Sequence, residues 1–516
     1  MRMPSDGPLP GDAVHDASFF GHPRGLSALF FTEMWERFSY YGMRGFLIFY
    51  MTASTAAGGM GLDTATGAAI YGTYTAMVYL MSVPGGWMAD RVFGQRRAVL
   101  YGGILIASGH FALAVPTSTM FYLGLVLIVL GTGLLKPNIS VIVGQLYGAK
   151  DIRRDAGFSI FYMGINLGAF LGPLVTGYLA QDPSFRTVLQ GWGWDPNVAW
   201  HFGFGAAGVG MTAGLVQYLL SGHSLGTAGL APGGATTAEL AAKFRRQAWL
   251  WGGGGIASLV VVGLLSGAGV VTIHPTTVRD LAGYSLVVIT VVFFAMLFLD
   301  RSWTRDERAR LFVIFVFFAC AAVFWGVFEQ AGSTLNLFAD RSTRNQFLGV
   351  DFPSSWFQSL NALFIILFAP VLAWLWVRLG DRQPSSPAKF AYALIGVGVG
   401  FMILVPAALE ARSGVLVTPM WLAVVYLVHT AAELCLSPVG LSSMTKLAPA
   451  RIVGSMMGVW FLGASIGNFL AGQMATFYES MPLERLFGAV SVLPVLAGLL
   501  MLSQAKRLTS LMGDRH

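Results

Sequence analysis

The stretch SALFFTEMWERFSYYGMRGFLIFYMTA, residues 27–53, is long and apolar enough to cross a membrane, yet it contains Glu33, Glu36, Arg37 and Arg44. A charged side chain at the centre of a bilayer costs about 2.5–3.5 kcal/mol. At about 100° per residue, these charges and the tyrosines between them fall within an arc of roughly 140° on a helix. A surface amphipathic helix is the alternative, but the opposite face is Phe, Leu, Met and Trp for the full length of a span. The stretch therefore predicts a membrane-spanning helix whose polar stripe faces a protein-lined interior.

The composition of the whole chain also predicts an integral membrane protein. Hydrophobic residues make up 55% and charged residues 11% of its 516 residues, and its mean hydropathy is +0.65. Soluble domains carry about 25% charged residues. The net charge of +7 could indicate a nucleic-acid partner, but the basic residues lie in short loops between apolar stretches. Membrane orientation explains that distribution better, so we expect no nucleic acid to bind.

Apolar stretches long enough to span a bilayer recur along the chain. A window of about 19 residues predicts about fourteen spans, near 27–53, 67–89, 96–115, 118–147, 156–180, 199–221, 246–270, 280–300, 309–338, 355–379, 388–408, 417–446, 453–477 and 484–505. Residues 1–25 lack the apolar run and cleavage site of a signal peptide. Basic residues concentrate in alternate loops, which predicts cytoplasmic termini; the clusters begin at Arg91, Lys150, Lys243, Arg301, Arg378, Lys446 and Lys506.

The seven charges inside spans divide the chain into two related halves. The two spans within 246–300 contain none of them and follow a linker rich in Gly, Ala and Thr, so they are interpreted as an insertion. In the remaining six plus six spans, the charges fall on the first and fourth span of each half: Glu33 to Arg44 and Lys136, then Glu329 and Glu433. Paired halves around a polar site are typical of alternating-access transporters. The predicted fold is an all-α membrane protein of two six-helix bundles and two extra helices, divided as 1–25 N-terminal segment, 26–221 first bundle, 222–245 linker, 246–300 insertion, 301–508 second bundle and 509–516 tail.

Polar residues elsewhere in the spans are further candidates for a site. Lys136 precedes Pro137 and Asn138 halfway along the fourth span, where a proline removes a backbone donor and can open the helix. Weaker candidates, each of which could instead join helices by hydrogen bonds, are Tyr79, Asn166 and Asn361.

Three motifs resemble those of the proton-dependent oligopeptide transporter (POT) family of the major facilitator superfamily. Glu33-Met-Trp-Glu36-Arg37-Phe-Ser-Tyr40-Tyr41-Gly42 is similar to the family's ExxERFxYYG signature, and 161–168, FYMGINLG, is similar to its fifth-helix signature. Phe328-Glu329-Gln330 and Trp460 also stand where the family pattern has them. The resemblance implies the major facilitator fold with fourteen membrane helices. It also implies a multi-pass protein of the bacterial inner membrane that imports di- and tripeptides with protons, needs no other cofactor, and functions as a monomer in the lipid bilayer.

The resemblance also implies roles for individual residues. Arg37 and Lys136 would bind the peptide carboxylate, with Tyr41 and Tyr79 lining the pocket. Glu433, helped by Asn166 and Asn361, would bind the amino group, as a zwitterion requires. Trp325 and Trp460 either line side-chain pockets or belong to the core.

Proton coupling requires a group whose protonation changes the stability of one conformation relative to another. Following the family pattern, Glu329 would pair with Arg44, and protonation would loosen that ion pair. Glu33 and Glu36 either handle protons themselves or orient Arg37. His429, four residues before Glu433, could modulate it or could be a packed residue bonded to its own helix.

Other functions remain as alternatives. No GxxxxGK[ST] loop is present, so ATP-driven pumping is not expected. Gly463-Ala-Ser465-Ile-Gly467 matches the serine-hydrolase pattern of an enzyme, but it lies inside an apolar span, where Gly-x-x-x-Gly indicates helix packing. A drug or metabolite antiporter of the same superfamily is the closer alternative, because the loop signature 86–97 does not distinguish import from export. The two cysteines, Cys320 and Cys435, lie in apolar spans and are expected to be packing residues rather than a disulfide.

Overall fold

A computed structural model describes residues 18–148, 151–230, 238–272, 274–449 and 452–513, and this part of the chain is almost entirely helical. Its helices are α1 Arg24–Thr52, α2 Thr64–Leu80, α3 Ser82–Met88, α4 Gln95–Leu113, α5 Ser118–Gln145, α6 Arg154–Gln181, α7 Pro183–Gly191, α8 Ala199–Leu220, α9 Ala238–Ala248, α10 Gly254–Gly267, α11 Pro275–Leu299, α12 Arg305–Phe328, α13 Thr334–Arg341, α14 Gln358–Leu379, α15 Ser386–Ala411, α16 Met420–Leu447, α17 Val453–Ala475 and α18 Leu483–Met512. One antiparallel hairpin, β1 Gln346–Phe347 and β2 Val350–Asp351, joins α13 to α14 through a short 3₁₀ turn.

Each predicted span contains a helix, which confirms the all-α membrane class. By length and composition, nine segments of the described residues are long and apolar enough to cross a membrane: Ser118–Gln145, Arg154–Gln181, Pro196–Leu220, Pro275–Leu299, Arg305–Arg341, Ser354–Leu379, Ser386–Ala411, Met420–Met444 and Leu483–Met512. The first two predicted spans are not among these nine, because charges lower the hydropathy of α1 and because α2 has only 17 residues. The count of fourteen spans stays a prediction.

Three predicted spans are interrupted in the structure. The second ends as a regular helix at Leu80 and continues as α3 and a π-helical turn, Ala89–Phe93. The seventh begins as the basic helix α9, inside the predicted linker, and reaches α10 through another π-helical turn, Trp249–Gly253. The ninth breaks after α12, where the 3₁₀ turn Glu329–Gly332 starts with a buried glutamate. Each break coincides with glycines, charges or both, which disfavour a continuous apolar helix.

Contacts divide the chain into two compact units. The first comprises Met1–Gly42, Met81–Gly172 and His201–His274. Its core is built from α1, α4, α5, α6 and α8, with fully buried side chains such as Leu29, Ile106, Ile139 and Met211. Close approach of α4 to α5 depends on small residues, since a Cβ added to Gly102 would lie 2.6 Å from the carbonyl oxygen of Gly131.

The second unit comprises Met43–Leu80, Pro173–Trp200 and Pro275–His516, and it therefore combines residues from both halves of the sequence. Its first-half residues are the end of α1, all of α2, the end of α6, all of α7 and the start of α8, which adjoin the loops that the charge distribution predicts to be extracellular. The helix α2 packs tightly on α17, and a Cβ added to Gly72 would lie 2.5 Å from the Cα of Gly472. The helix α11 packs on both α2 and α17. The predicted domain boundaries stay a prediction.

Candidate functional site

In the first unit, α1 gathers a buried cluster of charges. Glu33, Glu36 and Arg37 are at most 3% exposed. Arg37 Nε lies 3.2 Å from Glu33 Oε1 and pairs with Glu36 as well. The guanidinium also lies 5.2 Å from the ring centre of Tyr40 and 5.9 Å from that of Tyr41. The polar stripe predicted for this span is thus buried in protein, and both carboxylates contact the arginine.

Lys136 adds a second cation to this cluster. It lies half-buried on α5 and within electrostatic range of Glu33. The helix continues through Pro137, and Asn138 Nδ2 donates to the Leu134 carbonyl oxygen at 2.6 Å. Two carboxylates and two cations therefore nearly neutralise one another. Any further carboxylate would have to compete with the two glutamates for Arg37.

In the second unit, a buried ion pair joins the first span to the ninth. Arg44 and Glu329, each 3% exposed, form a salt bridge. Arg44 Nε also donates to the Tyr71 hydroxyl at 2.5 Å. Gly332 lies beside this contact, and a Cβ there would overlap the Tyr71 hydroxyl. The ion pair predicted from the family pattern is therefore present, while its role in coupling stays a prediction.

Amide side chains that the sequence analysis missed surround this ion pair. Gln358 Nε2 lies within hydrogen-bonding distance of the Ala331 carbonyl oxygen at 2.5 Å, Asn336 Oδ1 at 2.9 Å and the Tyr426 hydroxyl at 3.0 Å. Asn336 Nδ2 donates to the Gly45 carbonyl oxygen at 2.9 Å. These bonds tie the end of α1 to α13, α14 and α16. Asn336 and Gln358 are polar residues inside predicted apolar spans, and this is the signal that identified Asn361.

A more exposed ion pair lies at the same end of the second unit. Arg341 Nη1 contacts Glu479 Oε1 at 2.7 Å and Arg341 Nη2 donates to Thr64 Oγ1 at 3.1 Å. Thr64 in turn donates to Glu479. Hydrogen bonds from Thr64 and Arg341 lower the pKa of Glu479, which lies in the loop between α17 and α18. The start of α2 is therefore linked to α13 and to that loop.

The acid predicted to bind the substrate amino group is held by an amide. Asn361 Nδ2 donates to Glu433 Oε2 at 2.9 Å and lies 3.1 Å from Thr430 Oγ1. Glu433 is half-buried and lies within electrostatic range of Glu329. The structure thus brings Asn361 and Glu433 together, on α14 and α16.

The other predicted site residues have separate surroundings. Asn166, in the first unit, donates to its own helix at the Tyr162 carbonyl oxygen, 2.9 Å away. Tyr79 and Trp460 are buried in the second unit, the latter against Gly440. Trp325 is half-buried, and its Nε1 has no hydrogen-bond partner among the described residues.

His429, Ser465 and the two cysteines lie on helices of the second unit. His429 is packed, but it bonds to the Val397 carbonyl oxygen on α15 at 3.1 Å, so the expected bond to its own helix is wrong. The neighbouring helix approaches closely enough there for the imidazole to reach across. Ser465 is buried inside α17 and donates to the Ala76 carbonyl oxygen at 2.7 Å, which confirms helix packing at the Gly-x-Ser-x-Gly pattern. Cys320 and Cys435 are not disulfide-bonded.

Comparisons with known proteins support transport. A sequence profile described as the POT family matches residues 96–493. The uncharacterized transporter YclF of Bacillus subtilis is 42% identical over 95% of each chain, and the peptide transporter YePEPT of Yersinia enterocolitica is 41% identical over 91% of this chain and 90% of its own. The di-/tripeptide transporter of Lactococcus lactis is 37% identical over 97% of this chain and 98% of its own. These relatives are transporters rather than enzymes, which confirms the expectation of transport.

Solved structures agree with this result. A crystal structure of peptide transporter POT with sulfate is 42% identical, with a TM-score of 0.86 over 96% of this chain and 97% of that chain. A glutamate-to-glutamine mutant of peptide transporter POT in complex with alafosfalin is 42% identical, with a TM-score of 0.87 over 98% of both chains. The profile match and the near full-length relatives show that the chain is a multi-pass membrane protein and belongs to the POT family.

Proposed function

We propose that this protein imports di- and tripeptides together with protons by alternating access. The observation that carries the proposal is that the structure holds buried or half-buried ionisable side chains of both signs inside membrane-spanning helices. Arg37 and Lys136 supply cations in the first unit, whereas Glu433 supplies an amide-held carboxylate in the second. A free peptide carries one carboxylate, which requires a cationic partner, and one ammonium group, which requires an anionic partner. The names of the Yersinia and Lactococcus relatives support the same substrate class.

Charge competition at Arg37 suggests how substrate and proton binding are linked. Both Glu33 and Glu36 contact this arginine, and an arginine that already pairs with two carboxylates is less available to a third. Protonation of one glutamate frees part of the guanidinium for the peptide carboxylate. The two roles considered for these glutamates, orientation of Arg37 and proton handling, are therefore compatible with the same geometry.

The Arg44–Glu329 pair is the proposed conformational element. Both side chains are buried, and a buried pair that loses one charge is strongly destabilised. Protonation of Glu329 therefore favours separation of α1 from the end of α12. The hydrogen bonds that the Asn336 and Gln358 side chains make at the same end break when these helices separate. Since these residues lie at the end predicted to be extracellular, the structure suits the step in which that end is closed.

The protein is proposed to lie in the bacterial inner membrane, to act as a monomer and to have both termini on the cytoplasmic side. Basic residues in alternate loops support this orientation, although Lys150 and Arg451 lie outside the described residues. Reporter fusions after Arg97 and after Gly414 test it. The first fusion should report cytoplasm and the second the outside, and the reverse would contradict the orientation.

Substrate chemistry can be tested by counterflow in liposomes loaded with Ala-Ala. External Ala-Ala should exchange, whereas N-acetylated Ala-Ala and Ala-Ala amide should compete at least about tenfold more weakly, because each lacks one charged group. In Glu433→Gln, the discrimination against the N-acetylated peptide should shrink while that against the amide persists. Equal competition by all three compounds in the wild type would contradict the proposed charge recognition. Energy-dependent extrusion of lipophilic cations would favour the antiporter.

A further inference from the structure

We propose that α9, Ala238–Ala248, is a binding site for the headgroups of anionic phospholipids. This helix lies in the first unit, between the end of the first bundle and α10. Its sequence, AELAAKFRRQA, contains three cations and one acid. Leu240, Phe244 and Ala248 recur every four residues and share one face, while the cations lie on the remaining surface. The helix is amphipathic although it is too polar to span a membrane.

The apolar face of α9 is fixed by an aromatic contact. The ring centres of Phe244 and Trp87 lie 6.2 Å apart in an edge-to-face arrangement. The guanidinium of Arg91 lies 5.1 Å from the Phe244 ring centre and 5.5 Å from that of Trp87. The helix thereby packs on the π-helical turn Ala89–Phe93. These contacts set the orientation of α9, and the basic side chains of the helix lie outside the contact.

Those basic side chains are accessible to a ligand. Lys243, Arg245 and Arg246 are all exposed, and so is the neighbouring Arg91. Such a cluster attracts phosphate groups, and arginine in particular can bind a phosphate with two parallel hydrogen bonds.

The position of α9 identifies the phosphate source as a lipid. Its C-terminus runs without a loop into the π-helical turn and then into α10, whose sequence GGIASLVVVGLLSG is apolar. The helix must therefore lie where the chain enters the membrane. Trp249 and Trp251, 79% and 81% exposed, mark the same level, since exposed indoles favour the interface between headgroups and acyl chains. A cationic surface beside exposed indoles fits an anionic lipid surface.

The start of the linker, at residues 226–229, is also held by hydrogen bonds. Arg96 donates to the carbonyl oxygens of Ala228 and Gly226, both at 2.6 Å. The Gly229 amide donates to Gln145 Oε1 at 2.7 Å. The start of the linker is therefore bound to α4 and α5.

A second basic cluster supplies a matched control. Arg301, Arg305 and Arg308 are exposed at the start of α12. Three acids accompany them in sequence, and the local tryptophan, Trp303, is buried. Removing three arginines there changes the net charge of the protein as much as removing the three cations of α9.

The test is a lipid titration of the full-length protein in detergent, with bound lipids counted by native mass spectrometry. The probes are phosphatidylglycerol and phosphatidylcholine. The wild type should bind phosphatidylglycerol more tightly. The variant K243Q/R245Q/R246Q should weaken its tightest phosphatidylglycerol binding by about 100-fold, since each of the three basic residues at an anionic surface contributes about fivefold. The single variant Lys243→Gln, at an exposed position, should show about a fivefold loss.

The controls decide between lipid binding and general charge. The variant R301Q/R305Q/R308Q should retain the phosphatidylglycerol preference, and unchanged thermal unfolding would show that each variant is folded. Equal losses in both triple variants, or no loss in the α9 triple and single variants, would overturn the proposal. Displacement of phosphatidylglycerol by inorganic phosphate, beyond that by sodium chloride of equal ionic strength, would assign the site to free phosphate and overturn it as well.

Discussion

Glu329→Gln is the substitution that most clearly separates proton coupling from substrate transport. Glu329 pairs with Arg44 in a buried site, and Arg44 is held additionally by Tyr71. Glutamine keeps the size of the side chain and one oxygen acceptor for the guanidinium, but it cannot change charge with pH. The variant therefore mimics a permanently protonated residue.

The size of the effect follows from burial. Arg44 and Glu329 are each 3% exposed, and removing one charge of a buried pair costs about 3–5 kcal/mol. Because glutamine retains an acceptor, we expect the lower end, about 3 kcal/mol, which corresponds to roughly a 100-fold change in the balance of two conformations. The conformation with the pair formed should be disfavoured by that factor at every pH.

Two assays in the same liposomes measure the consequence. Uptake of labelled Ala-Ala driven by an inward proton gradient should be lost in Glu329→Gln, whereas counterflow exchange, which needs no net proton movement, should continue. Glu479→Gln is the matched control, because it removes a carboxylate from the exposed Arg341–Glu479 pair, whose side chains are 35% and 58% exposed. Exposed pairs contribute about 0–1 kcal/mol, so both assays should stay near wild type in the control.

Two results would contradict the coupling role of Glu329. Equal loss of accumulation and counterflow in folded Glu329→Gln would assign the residue to binding or structure. Unchanged proton-driven accumulation would show that another group couples the proton.

Three further substitutions test the packing and charge contacts. Asn361→Ala removes the donor to Glu433 and should weaken apparent Ala-Ala affinity in counterflow by about tenfold or more. Gly472→Val places a branched side chain where α17 touches α2 and should destabilise the protein by about 1–3 kcal/mol, seen as a lower thermal unfolding midpoint. Glu479→Gln should lower that midpoint slightly at neutral pH, and the difference from wild type should disappear once the pH is below the lowered pKa of Glu479. The lowered pKa of Glu479 implies this sign: its stabilisation is present above the ordinary carboxyl pKa and is lost as pH falls through the lowered value.

Three results would contradict the roles given to Asn361, Gly472 and Glu479. Unchanged affinity in Asn361→Ala would mean that Glu433 does not need its amide donor. Gly488→Val makes the same change in α18, where an added Cβ meets nothing within 4 Å, so an equal loss in both valine variants would contradict the α2–α17 argument. A difference between wild type and Glu479→Gln that persists at low pH would contradict the assigned cause of the pKa shift.

Hydropathy and charge spacing predicted much of the fold. The burial of the stripe from Glu33 to Arg44 followed from the cost of charges in lipid, because that cost applies whatever the neighbouring helices are. The breaks at Met81, Trp249 and Glu329 were not predicted. A window of about 19 residues averages over such local changes, so it could not separate α9 from α10.

The candidate site was predictable to the extent that polar residues stand out in apolar spans. Asn361 and Glu433 were identified individually, but their hydrogen bond depends on the distance between α14 and α16. Gln358 and Asn336 were equally visible in the sequence, yet their importance lies in contacts with backbone carbonyls of distant segments. Tertiary packing determines such contacts, and no sequence spacing encodes them.

The most direct test of the central claim is accumulation of labelled Ala-Ala in liposomes that contain the purified protein, with and without an inward proton gradient. Proton-coupled import predicts uptake above the external concentration with the gradient, abolished by a protonophore. Folded protein that only equilibrates Ala-Ala, or that does not transport it under either condition, would contradict the claim.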